Sequence, residues 1–248
     1  MLQRPDVDGI YAKLWQSKVV ACQLCSGQGT IAQPYGDFDI KFVACSCKKE
    51  VLRVCALLDG NVPKKFWNVD SWTIEHNLDV YGERIQPYCK NLPGHRADGY
   101  GMLFFGENGV GKTTFAIHVL AAAQAAGFSI GYILAPQLMA YTLEARNNGE
   151  MGEWLRGILS ADYLVIDEMG KEHKATGSEF ALSELDTLLR TRNGDNKPTI
   201  MVTNMNWKQF TTTYGASVAS IVKDSLQVHF EHGDHRAIQA SRRVKNGV

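Results

Sequence analysis

Gly106-Glu107-Asn108-Gly109-Val110-Gly111-Lys112-Thr113 satisfies the pattern G-x-x-x-x-G-K-[ST] at every position. Each fixed residue type has a chemical reason. Glycines let the backbone turn so that successive N–H groups face phosphate oxygens. A lysine brings a mobile positive charge to β- and γ-phosphates, and the hydroxyl that follows can ligate Mg²⁺. A helix opening at Lys112 adds the positive end of its dipole. The stretch Gly106–Thr114 is therefore the candidate cradle for ATP. A Gly-rich turn with an incidental lysine is the competing reading. Placement opposes it, because the motif leaves an apolar strand, GMLFFG, and opens a helix.

A second set of residues suits the other half of such a site. Tyr163-Leu164-Val165-Ile166-Asp167-Glu168 reads as a buried strand ending in two carboxylates, which is costly unless they act. Asp167 suits holding Mg²⁺ through its water shell, which makes Thr113 and Asp167 the candidate magnesium residues. Glu168 suits positioning and activating an attacking water. Taken alone, the pair could be an acidic strand end in solvent; beside a complete phosphate loop that reading becomes the lesser one. No N-K-x-D guanine reader and no LSGGQ-like signature occurs, which argues against GTPases and transporter ATPases. Val202-Thr203-Asn204 ends a further strand and brings Asn204 toward the γ-phosphate. An asparagine there also serves as a simple turn former.

The third set is Cys22-x-x-Cys25 with Cys45-x-Cys47, four thiolates that suffice for a closed tetrahedral Zn²⁺ site. In the first knuckle, CQLCSGQG, the glycines free backbone N–H groups to face sulfur. Reduced thiols without metal are the other reading. So small a segment lacks a core of its own, which favours zinc. Cys55 and Cys89 stand outside the pattern.

The elements that must position these residues can be read from apolar periodicity. From Asp98 onward short apolar runs alternate with longer amphipathic ones, the signature of β-α units and a parallel sheet. Strands are expected at GMLFFG, SIGYILA, YLVID and PTIMVTN. Helices are expected at 112–126, at about 136–146 and at 178–192, the last with an apolar face from Phe180, Leu182, Leu185, Leu188 and Leu189. A final helix over 218–227 leads into a short strand at 228–230. Upstream, the stretch between Pro63 and Pro93 reads as helical in its middle. The expected organisation is a cysteine-rich zinc-binding partner module over 1–60, a helical linker over 61–97, the ATPase domain over 98–240 and a tail over 241–248.

Composition bounds the possibilities without choosing among them. The 248 residues are 45% hydrophobic and 21% charged, near globular averages. Lys+Arg and Asp+Glu both number 26, so global charge says nothing about a nucleic-acid partner. The N-terminus has no apolar signal run, and the longest mostly apolar stretch, 115–128, is too short to cross a bilayer. A cytoplasmic protein without membrane attachment is expected. In that compartment clustered cysteines suggest metal rather than disulfides.

With those residues in hand, residues 63–240 resemble the DnaC/IstB-type branch of AAA+ ATPases. The resemblance rests on the order of VPKKFW, GYGMLFFGENGVGKTTFA, YLVIDEMG, LLRTR, KPTIMVTN and FEHGDHRA. It implies an α/β fold, a P-loop AAA+ (ASCE) parallel sheet flanked by helices and preceded here by the small zinc-binding module. Residues 205–248 are too few for a full helical lid, as in helicase loaders and transposition ATPases of this branch. The resemblance assigns Asn204 to the first sensor position and Arg236, in GDHRA, to the second-sensor arginine; a surface arginine at a strand end is an equal reading of Arg236. One departure stands out. The branch usually carries an arginine in the helix before the last strand, aimed at a neighbouring subunit's ATP, and VASIVKDSLQ has none. Either Arg190 or Arg192 supplies that charge, or hydrolysis is slow and ATP serves as a clamp.

The resemblance implies a replicative helicase loader that binds and hydrolyses ATP with Mg²⁺, oligomerises on ATP or DNA, engages single-stranded DNA and meets a replicative helicase through the zinc module. The alternative is an IstB-like transposition ATPase that assembles on duplex DNA and recruits a transposase. A metal-stabilised adaptor with a non-hydrolysing nucleotide switch is the reading from another class.

Overall fold

The computed structural model describes residues 6–35, 39–67, 81–148, 152–172 and 178–231, and the chain forms two compact units, Met1–Trp67 and Asn68–Val248. In the first unit, helix α1 (Val7–Leu14) is started by Asp6, whose carboxylate accepts the Gly9 N–H at 2.8 Å. It runs into a π-helical turn at Trp15–Val20. After the first cysteine pair the chain makes an antiparallel hairpin, β1 (Thr30–Tyr35) with β2 (Asp39–Ala44), then helix α2 (Ser46–Asp59). Val19, Val51 and Cys55 form a small buried cluster on which Val7, Tyr11, Leu14, Trp15 and Cys47 pack.

The second unit carries the sheet. Two short helices precede it, α3 (Glu83–Lys90) and α4 (Leu92–Asp98). They break at Asn91 because Pro93 is tolerated only in the first turn of a new helix. The sheet elements then alternate: β3 (Met102–Gly106), α5 (Lys112–Ala125), β4 (Ile130–Leu134), α6 (Ala135–Asn148), α7 (Glu153–Ser160), β5 (Tyr163–Met169), α8 (Ser178–Gly194), β6 (Thr199–Thr203), α9 (Trp207–Lys223) and β7 (Leu226–Phe230). All five strands are parallel, in the order β4-β5-β6-β3-β7. Because a parallel strand must return by a crossover, helices cover both faces. Alanine-rich α5 lies across one face, its Ala116 and Ala123 fully buried. On the other, Leu138, Leu155, Ile158, Leu185, Leu189 and Phe210 close over Leu103, Ile133, Ile166 and Met201.

Two elements differ from the periodicity reading. Helix α7 was not expected. Helix α9 begins at Trp207, not Val218, with Asn206 and Gln209 forming a reciprocal capping box. The earlier start escapes the pattern because Gly215 (φ 73°, ψ 179°) interrupts the helix, although Phe210, Tyr214, Val218 and Val222 are all buried. Expected Phe180 lies where its side chain is outside the described residues; Leu185 and Leu189 are buried as expected.

At the edge where strands begin, Arg192 is only 2% exposed. Its guanidinium donates to Thr199 Oγ1 and to the carbonyls of Leu159, Ala161, Asp162 and Pro198 at 2.7–3.3 Å. Burial lowers its pKa to about 10, so it stays charged at neutral pH. It ties the end of α7 to the entrances of β5 and β6, far along the strands from Gly106. Arg192 therefore cannot serve a neighbouring subunit's nucleotide, which removes one of the two expected arginine sources. Arg190 is a surface residue bonded to Asp186 and Ser217. Replacing Arg192 with Met should cost about 3 kcal/mol, since several buried acceptors lose their donor. Urea unfolding of the two proteins measures it.

Candidate functional site

Strand register decides which side chains meet. Phe105 pairs with Thr203 and Gly106 with Phe230, while Thr203 also pairs with Met169 and Leu134 with Asp167. The phosphate loop and the acidic strand end therefore lie at one edge of the sheet, on either side of β6. That is the edge where ligands collect in parallel sheets.

Within the loop, Gly106 sits at φ 138°, and a Cβ there would lie 2.2 Å from the Phe230 carbonyl oxygen. Gly109 (φ 84°) and Gly111 (φ 94°) occupy the left-handed region that a side chain resists. Gly111 is the N-cap of α5, so the freed N–H groups of its first turn open toward the loop. Lys112 is buried, and its ammonium donates to the carbonyls of Gly106 (2.7 Å) and Glu107 (2.5 Å). The loop is thus shaped around a lysine amine and a row of backbone donors.

Asp167 is 4% exposed and takes three hydrogen bonds. Thr113 Oγ1 donates to Oδ2 at 2.9 Å, Tyr132 OH to the same oxygen at 2.8 Å, and the Glu168 N–H to Oδ1 at 2.7 Å. Burial pushes its pKa up, and these donors work against the push. Thr113 and Asp167 thus stand within reach of one cation, a hydroxyl and a carboxylate of the hard-oxygen type that Mg²⁺ prefers. Glu168 is different. It is half-exposed, sits at φ 58°, and its carboxylate meets Lys171 at 3.0 Å. One acid is locked and the next is reachable from solvent.

Asn204 is exposed in the turn that follows β6, one residue beyond Thr203. Thr203 itself bonds the acidic strand, donating to the Met169 carbonyl at 2.9 Å. Arg236 lies outside the described residues. Tyr132 is a site residue that periodicity missed, since it passed as one more apolar position in SIGYILA. Its phenol was the signal, because a buried tyrosine hydroxyl needs a partner.

In the first unit the four cysteines converge. Cys22, Cys25, Cys45 and Cys47 place their sulfurs within 4.8 Å of one another. Cys22 and Cys45 sulfurs are 3.9 Å apart, and those of Cys25 and Cys47 are 3.6 Å apart. A tetrahedron with Zn–S bonds of about 2.3 Å has edges of about 3.8 Å, so the set fits that ion. The Gly29 N–H faces Cys25 Sγ at 3.2 Å, as the knuckle glycines suggested. The Cys47 backbone N–H lowers the Cys45 thiol to about 7, while burial pushes that of Cys47 up to about 12.

The sheet order, the glycine loop opening α5 and the acid pair across β6 define a P-loop protein of the AAA+ type. Residues 97–244 match the family model described as IstB-like ATP binding protein, and the chain belongs to that family. It is similar to the replicative helicase loader DnaC of Escherichia coli K12, at 28% identity over 158 residues. That match covers 62% of this chain and 62% of DnaC's length, less than two thirds of the relative. It is also similar to an insertion-sequence ATP-binding protein of Geobacillus stearothermophilus, 30% identical over 129 residues, covering 52% of this chain and 50% of that one. Among solved structures, a crystal structure of the DnaC helicase loader aligns with TM-score 0.57 and 22% identity, over 69% of this chain and 100% of that one. The replication initiator DnaA bound to AMPPCP and single-stranded DNA aligns with TM-score 0.58 and 16% identity, over 75% and 56%. Among the described residues no helix is long and apolar enough to cross a membrane.

The cysteine geometry makes a direct prediction. Purified under reducing conditions, the full chain should carry about one zinc per molecule. Cys25→Ser with Cys47→Ser should abolish it and expose the first unit to proteolysis. Elemental analysis and limited digestion read both, and a metal-free wild type with a protected first unit would refute the assignment.

Proposed function

We propose that this chain is a DnaC-like helicase loader that binds and hydrolyses ATP and grips single-stranded DNA. The observation that carries the ATPase half is the meeting of Thr113, at the end of a complete phosphate loop, with Asp167 across β6, next to Glu168. In this reading Gly106, Glu107, Asn108, Gly109, Val110 and Gly111 wrap the phosphates, with Thr114 continuing the first turn of α5. Lys112 exchanges its two loop carbonyls for β- and γ-phosphate oxygens. Bound Mg²⁺ would neutralise phosphate charge, held by Thr113 directly and by Asp167 through water. Glu168 orients the attacking water and takes up its proton, and Asn204 reaches toward the γ-phosphate. Arg236 acts as the second sensor.

The similarity to DnaC and the cysteine unit favour the loader. Its hairpin exposes Ile40 (67%) and Phe42 (71%), which share one face with Pro34 and Ala32 in the β1–β2 register. Such a face on a zinc-stapled unit suits contact with a replicative helicase. The family model and the insertion-sequence relative favour a second reading, a transposition ATPase on duplex DNA that recruits a transposase. The ATPase core is taken to act as a homo-oligomer formed on ATP or DNA.

Lys112→Ala should bind ATP at least tenfold more weakly, because no neutral group replaces the lost charge-assisted contacts. Glu168→Gln should keep ATP affinity and stall turnover. Calorimetric titration with a steady-state phosphate assay separates the two, and a normal rate in Glu168→Gln would move the catalytic role elsewhere. With Arg192 buried in its own subunit, wild-type turnover should be slow, and Arg190→Ala should leave it unchanged.

The DNA arm has its own measurement. Fluorescence anisotropy should show single strands preferred over duplex, with affinity falling steeply between 50 and about 200 mM salt as phosphate contacts release counterions. Preference for duplex would select the transposition reading, and no affinity for either form would select the adaptor.

A further inference from the structure

The backbone that leaves β5 behind Glu168 is awkward. Glu168 (φ 58°) and Gly170 (φ 96°) both take left-handed conformations, and the pairing of β5 with β6 slips between Ile166 and Met169. For a non-glycine residue this is strained and persists only where the surroundings over-determine it. Three contacts do so. Thr203 Oγ1 fixes the Met169 carbonyl at 2.9 Å. The Met205 side chain fills the space beside Gly170, where a Cβ would come within 2.2 Å of its methyl carbon. The third contact is a carboxylate.

Glu172 is fully buried. Its Oε2 accepts the Gly170 N–H at 2.8 Å, and its Oε1 accepts the Tyr214 hydroxyl. Tyr214 belongs to α9 and is itself buried. Burial, then the charge of Glu172, raise its pKa far above the usual tyrosine range, so it remains a donor. A buried charge is a poor way to obtain stability, since an apolar pair of similar volume serves packing as well or better. The proposed nucleotide chemistry uses neither residue.

Helix α9 adds the mechanical half. Its helical geometry breaks at Gly215, the residue after Tyr214. Beyond the break, Ser217 bonds Asp186 and Arg190 and so ties the second half of α9 to α8. The first half, Trp207–Tyr214, packs into the core through Phe210, reaches the acidic strand end through the Tyr214–Glu172 hydrogen bond, and continues into the rest of its helix through a glycine.

We propose that Glu172 and Tyr214 are positioning residues for Glu168, a relay through which the first half of α9 sets the orientation of the water-activating carboxylate. The proposal rests on the reading of Glu168 given above. While Tyr214 holds Glu172, the Gly170 N–H is fixed and the Glu168 peptide keeps its left-handed turn. When the segment Trp207–Tyr214 tilts about Gly215, Tyr214 withdraws, the Gly170 peptide is released and Glu168 loses its aim. A partner bound on that segment would thus tune hydrolysis without touching nucleotide.

The test uses the full chain with ATP–Mg²⁺ and measures ATP Kd, kcat and thermal midpoint for wild type, Tyr214→Phe, Glu172→Ala, Glu172→Gln, Glu168→Gln and Tyr214→Phe/Glu168→Gln. Tyr214→Phe and Glu172→Ala should lower kcat by roughly ten- to a hundredfold, the cost of a misplaced catalytic group, with ATP Kd within about twofold of wild type. Glu172→Gln should retain most of the rate, because its amide oxygen can accept from Gly170 while its NH₂ donates to the Tyr214 oxygen. The double variant should be no slower than Glu168→Gln alone, since the relay acts only through that carboxylate. A merely structural role would instead lower the thermal midpoint and ATP affinity together, and would slow Glu168→Gln further. Those results overturn the proposal, as do wild-type rates in both Tyr214→Phe and Glu172→Ala while Glu168→Gln is stalled. Normal turnover in Glu168→Gln itself would remove the catalytic reading and the relay with it.

Discussion

Asp167 is a carboxylate in an almost dry place, and the arrangement of the second unit is what makes it tolerable there. An unpaired charge in a protein interior costs several kcal/mol after relaxation, so it survives only where donors are already aimed at it. The three donors come from three separate parts of the fold: Thr113 from the first turn of α5, Tyr132 from β4, and the Glu168 peptide from β5 itself. To bring them together, α5 must cross under the sheet and β4 must lie beside β5 in its observed register. The fold can be viewed as the scaffold that one carboxylate requires.

The first unit solves a different problem with different means. Its buried apolar cluster is small, and both strands of its hairpin leave most side chains exposed. Segments of this size need a staple. The four cysteines occupy the places where one would be most effective: before the hairpin, and at the start of α2 after it. Cys45 is both one of the four converging thiols and the residue that precedes the first turn of α2. A metal there would fix the hairpin and the helix at once.

Much of the second unit was legible because its rules are local. A glycine loop between an apolar run and an alanine-rich helix can be read from residue types alone, and so can two acids at the end of YLVID. The parallel sheet followed from alternation, and the four-cysteine set followed from spacing. What escaped depended on tertiary partners. Helix α9 carries its start signal in Asn206 and Gln209, but Gly215 broke the pattern that would have joined its halves. Arg192 read as one of two candidate arginines for a neighbouring subunit's ATP. Only the assembled sheet shows that carbonyls of Leu159, Ala161, Asp162 and Pro198 surround it. Tyr132 and Glu172 were silent for the same reason, since Tyr132 bonds a carboxylate on the neighbouring strand and Glu172 a hydroxyl on α9.

Gly106 shows that a motif position can answer to two masters. It is read as the first glycine of a phosphate loop, yet the nearest atom to its missing side chain is the Phe230 carbonyl oxygen of the neighbouring strand. The residue is fixed by edge-strand packing whether or not a nucleotide ever arrives. A descendant of this chain that abandoned ATP would be free to lose Gly109, Gly111 and Lys112 while still being obliged to keep Gly106. In this architecture the opening glycine records the ancestry of the sheet, and the later residues of the loop record its occupation.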